Sequence, residues 1–116
     1  MSKRINGRLA RPYVQRKEAF HNSNGQLYAN WYGLDGLENP NARYVVYSYG
    51  SHWPLFIYVP QVYTWFENNE KFGPTTSKHR TFTHPHCDTI KLKLEDIKKL
   101  AVYGYSKFIT DRLTNG

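Results

Sequence analysis

The chain has 116 residues, room for one domain, and its 40% hydrophobic and 16% aromatic content supports a buried core and excludes wholesale disorder. No run approaches the roughly 18 apolar residues of a membrane-crossing helix, the basic start is not followed by an apolar signal stretch, and the single cysteine, Cys87, cannot form an internal disulfide, which suits a reducing compartment. Sixteen Lys and Arg against nine Asp and Glu give a net charge of +7, a balance that favours polyanions such as nucleic acid.

Six of the sixteen basic residues fall in the first seventeen: Lys3, Arg4, Arg8, Arg11, Arg16 and Lys17. With Gly7 and Pro12 as breakers and few large apolar side chains, residues 1–18 read as a flexible basic arm able to lie along phosphates. Residues 19–116 then form a single α+β domain. Residues 19–33 read as a hairpin, because Asn24-Gly25 is a type I′ turn signal between two β-prone runs. Residues 33–41, with Gly36, Asn39 and Pro40, are a loop. Residues 43–49 are the most secure strand, since Tyr44-Val45-Val46-Tyr47 is β-branched and aromatic. Strands over 55–59 and 62–66 follow, then a turn over 67–71. Residues 72–80 read as a tight polar loop in which Thr75 or Thr76 can cap a helical turn, and residues 80–83 as a short strand. Thr89-Ile90-Lys91-Leu92-Lys93-Leu94 alternates strictly and predicts an edge strand with its lysines in water. Glu95 and Asp96 open a helix with Ile97, Leu100 and Ala101 as its apolar stripe and Gly104 as its stop. Ser106 can cap a second short helix, with Phe108, Ile109 and Leu113 inward. These elements predict a twisted antiparallel sheet of about four to six strands, covered on one face by the two C-terminal helices.

Residues 43–86 hold eleven aromatics and four of the five histidines. Tyr and Trp carry a large apolar body and a polar tip, and suit the boundary between a core and a binding surface. Thr75, Thr76, Ser77, Lys78, His79 and Arg80 form a run of hydroxyl and basic groups suited to phosphate oxygens. Tyr47, Tyr49, Trp53 and Trp65 could stack on exposed bases, or fill the core beneath the loop. His79, His84, His86 and Cys87 are ligand types for zinc, but their spacing fits no known site, so no metal or other cofactor is expected. No Gly-x-Ser-x-Gly elbow or phosphate-cradling glycine loop is present, although Ser48, Ser51 and Ser77 lie near histidines in sequence.

Three resemblances attach to these residues. The triplets His21-Asn22-Ser23 and His79-Arg80-Thr81 resemble the paired motifs of two-histidine phosphoesterases, with Asn22 and Arg80 departing from the apolar neighbours usual there. Gly50-Ser51-His52 and the later lysine-bearing strand resemble the small toxin ribonucleases of the HicA type, which would make His52 a general acid or base. The widest resemblance covers residues 43–80. The runs Tyr44-Val45-Val46-Tyr47-Ser48-Tyr49-Gly50 and Thr75-Thr76-Ser77-Lys78-His79, with Trp65 and Asn68 between them, resemble a family of small phage-encoded proteins of unknown function, Pro74 standing where serine is usual. That resemblance implies a phage origin and action in the cytoplasm of an infected bacterial host.

The leading expectation is therefore a non-enzymatic phage accessory protein that binds nucleic acid. Its contacts would be Arg4, Arg8 and Arg11 of the arm, Tyr47, Tyr49, His52 and Trp65, and residues 75–80. The alternative is an inhibitor of a host enzyme or defence system, since Tyr, Trp and Arg are enriched at protein interfaces. A third reading is a small ribonuclease using His52 or His79. The C-terminal edge strand leaves room for a homodimer.

Overall fold

A computed structural model describes residues 2–33, 41–49, 53–70 and 73–109. The fold is α+β, built on one open seven-stranded sheet whose strands lie in chain order: β1 (Lys3–Arg4), β2 (Phe20–His21), β3 (Leu27–Tyr32), β4 (Arg43–Ser48), β5 (Pro54–Val59), β6 (Thr64–Asn68) and β7 (Thr89–Leu92). From β2 to β6 the sheet is an antiparallel meander. Both edges are parallel: β1 pairs with β2, and β6 with β7. The expected antiparallel sheet is thus corrected at its two margins, and has more strands than the expectation allowed. Parallel neighbours require a crossover connection. The first crossover carries helix α1 (Arg11–Gln15) and the second carries helix α2 (Pro74–Thr83).

Strand β4 is central, and all six of its residues are buried. Its alternation divides the core in two. Tyr44 and Val46 join Ala10, Val14, Phe20, Leu27, Ala29, Leu55, Phe56 and Trp65 on one face. Val45 and Tyr47 join Ile57, Val59, Phe66, Leu92, Ile97, Leu100, Ala101 and Phe108 on the other. Helix α3 (Leu94–Tyr103) and the helical residues 105–109 cover this second face, as the apolar stripe of Ile97, Leu100 and Ala101 predicts. Gly104 ends α3 at φ 85°, a left-handed value that glycine tolerates best. The first face is covered as well, by α1 and α2. A single covered face was expected because neither α1 nor α2 carries a continuous apolar stripe.

The register slips between Val46 and Tyr47, so that Val46 opposes Phe56 while Tyr47 opposes Pro54. Leu55 is the extra residue of this bulge, which lets it join the same core cluster as Phe56. The hairpin from β2 to β3 forms as expected, but its turn is not type I′. Gly25 donates its N–H to the Asn22 carbonyl at 3.1 Å, and Gly25 alone in the turn has positive φ, whereas type I′ needs two such residues. The predicted edge strand is β7, with Lys91 exposed and Leu92 buried. The expected turn over 67–71 begins later, since Glu67 and Asn68 belong to β6. Among the described residues no helix is long and apolar enough to cross a membrane.

Residues 2–18 are not a free arm. Lys3 and Arg4 pair with Phe20 and His21, and Ala10 and Val14 are fully buried. Two small apolar residues four positions apart anchor what charge alone made to look like a tail. Arg11 and Gln15 of α1 reach the end of α2: Arg11 donates to the carbonyls of Thr81 and His84, and Gln15 to that of Pro85. The two crossovers are thereby tied to each other. Val14→Ala removes two buried methyl groups and should destabilise the fold by about 2 kcal/mol in urea unfolding. An arm lying outside the fold would leave the unfolding midpoint unchanged.

Candidate functional site

The segment expected as a loop and short strand, residues 74–83, is one continuous helix. Pro74 occupies its first turn, where the missing N–H costs nothing. Gly73 precedes it without a side-chain cap, so neither Thr75 nor Thr76 plays the capping role expected of them. Threonine-rich sequence has modest helix propensity, and the face α2 turns inward is polar: Thr76, His79 and Thr83 are its buried residues. This face meets the polar end of β4. Ser48, fully buried, lies 2.8 Å by its Oγ from His79 Nδ1 and 3.3 Å from Thr76 Oγ1. Thr83 Oγ1 donates to the His79 carbonyl at 2.7 Å. The His79 ring is 8% exposed, and burial holds it below histidine's ordinary pKa, so it is neutral at pH 7. Beside it stands Tyr49, 39% exposed, with ring centroids 6.0 Å apart.

His79 forms part of the wall of a cleft of about 610 Å³, within the size range of small-ligand sites. Among the described residues it is also lined by Arg4 of β1, Ile5, Asn6, Gly7 and Arg8 from the first crossover, Asn22 and Ser23 from the β2–β3 turn, and Phe82 from α2. Among the described residues no carboxylate lines it. Arg4 and Arg8 are exposed and make no side-chain hydrogen bond or ion pair among the described residues. The two amides have already committed their oxygens. Asn6 Oδ1 accepts the Arg8 N–H at 3.0 Å, and Asn22 Oδ1 accepts the Leu27 N–H at 3.2 Å. Their NH₂ groups remain as donors. The cleft therefore offers guanidinium and amide donors, with the Ser23 hydroxyl and the His79 ring as side-chain acceptors among the described residues. Such a surface matches an oxyanion such as phosphate.

A second polar cluster lies further along α2 and is structural. Glu67 of β6, 5% exposed, accepts from Arg80 Nη2 at 2.7 Å and from Thr89 Oγ1 at 2.6 Å. Arg80 also donates to the Asn68 carbonyl, and His84 Nε2 lies 3.6 Å from Glu67. Burial pushes the Glu67 carboxyl up, but the hydrogen bonds from Thr89 and Arg80 and the positive charge of Arg80 outweigh it and leave the group below the ordinary carboxylate value.

The structure thus sorts the residues singled out in the sequence. Arg4, Arg8 and His79 come together in the cleft, with Tyr49 against His79. Thr75, Ser77 and Lys78 are exposed on α2 but do not line the cleft. Tyr47 and Trp65 are 5% and 7% exposed and pack in the two cores, so they are not stacking platforms. Thr76 is buried against Ser48. Arg11 and Arg80 are spent on α2 and Glu67 rather than on a ligand. His52 lies outside the described residues. His21 bonds Ser2 Oγ at 2.8 Å and is not a cleft residue, so the two triplet histidines do not form one site. Among the described residues no three His, Cys, Asp or Glu side chains are grouped to hold a metal. Sequence reasoning missed Asn6, Asn22, Ser23 and Phe82 as cleft residues, and the pairing of Ser48 with His79. The i, i+3 spacing of Thr76, His79 and Phe82 would have revealed one face had residues 74–83 been read as a helix.

Comparison with known proteins yields no matching family model, no matching curated protein and no matching solved structure.

Arg80→Ala should cost about 2–3 kcal/mol, somewhat below the loss for a fully buried pair, because the Glu67 carboxylate is left without its charged partner. Lys78→Ala should stay within about 0.5 kcal/mol. Equal effects in thermal or urea unfolding would contradict this division of α2. The depressed Glu67 value also sets a pH dependence. Its contribution is complete above the ordinary carboxylate pKa and is lost as pH falls through the lower folded value. Glu67→Gln should therefore flatten the acid limb of stability against pH, and an unaltered limb would show that Glu67 does not contribute to it.

Proposed function

We propose that this protein binds nucleic acid through the cleft between the first crossover and α2, with Arg4 and Arg8 on phosphate oxygens. The observation that carries the reading is the donor-rich cleft: among the described residues, two arginines without a side-chain hydrogen bond or ion pair, two amides whose oxygens are already satisfied, and no carboxylate. A net charge of +7 adds long-range attraction for a polyanion. Tyr49, partly exposed beside His79, supplies a ring on which an unpaired base can stack, which favours single-stranded over fully paired substrates. In keeping with the resemblance of residues 43–80, the reading is of a phage accessory protein acting in the cytoplasm of its host. Arg11, Tyr47, Trp65 and Arg80 are no longer part of the proposed contact set, because each has a structural task.

The Arg4→Gln, Arg8→Gln double variant should weaken binding of single-stranded RNA or DNA by at least tenfold. Each lost phosphate contact should lower the slope of log K against log salt by about 0.7. Thermal stability should stay within about 0.5 kcal/mol of the parent, since both side chains are exposed. Unchanged affinity and salt slope would contradict the reading. A stoichiometric host protein, captured equally by parent and double variant and surviving nuclease treatment, would favour the protein-inhibitor alternative instead.

A further inference from the structure

Nucleic-acid binding alone leaves one arrangement without a purpose. A phosphate cleft needs cations and donors, yet its wall contains a neutral, buried imidazole held by the buried Ser48 hydroxyl, which is itself bonded to Thr76. A histidine serving only the core would have both nitrogens satisfied inside it. Here Nδ1 is taken by Ser48, and Nε2 has no hydrogen bond to any described residue while the ring borders the cleft. In the tautomer that donates Nδ1–H to Ser48 Oγ, Nε2 carries a free lone pair. Ser48 itself is fully buried and so is not the nucleophile. It acts as a positioning residue, accepting the Nδ1–H while its hydroxyl is hydrogen-bonded to Thr76 Oγ1 at 3.3 Å.

We propose that His79 is a general base that cleaves single-stranded RNA bound in the cleft, by transfer of the phosphodiester to the neighbouring ribose 2′-hydroxyl. His79 Nε2 takes the 2′-OH proton. The 2′-oxygen forms a bond to phosphorus as the bond from phosphorus to the 5′-oxygen breaks. The departing 5′-oxygen takes a proton from water, and the resulting imidazolium returns its proton to solvent. The products are a 2′,3′-cyclic phosphate and a 5′-hydroxyl, with no change of oxidation state. Arg4 and Arg8 offset the negative charge that builds on the non-bridging oxygens. Among the described residues the charged groups lining the cleft are these two guanidiniums, and it is burial that favours the neutral ring. The inference rests on the binding site proposed above and departs from the non-enzymatic role expected from sequence.

The test uses the full chain with a single-stranded RNA containing every dinucleotide step and the all-DNA counterpart, both in the presence of a metal chelator. The parent should cut the RNA to 2′,3′-cyclic phosphate ends and leave the DNA intact. His79→Gln should lower the single-turnover rate by about 10²–10⁴-fold while RNA still binds. Ser48→Ala should lower the rate with little change in Kd, a split that a purely structural role would not produce. The rate under subsaturating RNA should rise with pH and level off, with its inflection below histidine's ordinary value. This profile tests the parent even if either variant fails to fold. RNA bound but uncut overturns the inference and leaves the binding reading intact. Equal cutting of DNA, or cutting unaffected in a folded His79→Gln, also overturns it. Failure of the parent to bind RNA or DNA overturns both.

Discussion

Everything in this fold is organised by the burial of both ends of one strand. β4 runs through the centre of a seven-stranded sheet with helices on both faces, so none of its side chains reaches bulk water. Its middle, Tyr44 to Tyr47, is apolar or aromatic and solves that problem by packing. Its ends are polar and cannot. A buried polar group left unpaired costs about 1–3 kcal/mol, and more when charged, so each end must find a partner from a different layer. Arg43 donates to the carbonyls of Ala101 and Val102 at the end of α3, at 2.7 and 3.0 Å, and to Asn41 at 2.7 Å. Ser48 reaches His79 and Thr76 of α2 on the opposite face. One end secures the C-terminal helix, where a cation suits the terminal carbonyls. The other fixes the helix that forms one side of the cleft.

That constraint explains why so much polar chemistry is structural. The phenol of Tyr44 donates to the Glu18 carbonyl at 2.6 Å, and the Trp31 indole to the Lys17 carbonyl at 2.8 Å, so the end of the first crossover is held by aromatic tips. Lys17 lies 4.4 Å from the Tyr58 ring centroid, and Arg16 pairs with Glu18. The basic N-terminal segment is therefore neither a tail nor a uniform phosphate-binding strip. It is a crossover in which most of the positive charge serves the fold, leaving Arg4 and Arg8 for the cleft.

The legible parts of the fold were those governed by apolar periodicity. Residues 43–48 read as a strand because β-branched and aromatic residues are continuous there, and α3 read as a helix because Ile97, Leu100 and Ala101 share one face. The hairpin at Asn24-Gly25 announced itself by its turn residues. α2 was illegible for the opposite reason. Its inward residues are Thr76, His79 and Thr83, so the pattern has no apolar stripe, and the partner of Thr76 and His79 is the Ser48 hydroxyl of a distant strand. α1 is short, with Val14 fully buried and Tyr13 partly buried against the core, a signal too faint beside six basic residues. The parallel edges follow from these two crossovers and were hidden with them. For the same reason the site was half visible. Arg4, Arg8, Tyr49 and His79 were identified by residue type, whereas Asn6, Asn22 and Ser23 matter through which of their atoms the backbone has already claimed.

The account turns on whether a ligand enters the cleft beside His79. The most direct measurement is a heteronuclear NMR titration of the full chain with a short single-stranded oligoribonucleotide, following the His79 ring nitrogens and the guanidinium signals of Arg4 and Arg8. The account predicts saturable shifts at these three side chains and in the backbone of residues 4–8, 22–23 and 79–82, with α3 and β7 undisturbed. Shifts confined to the lysine-bearing face of β7 and α3, or no saturable shift at His79, would contradict it.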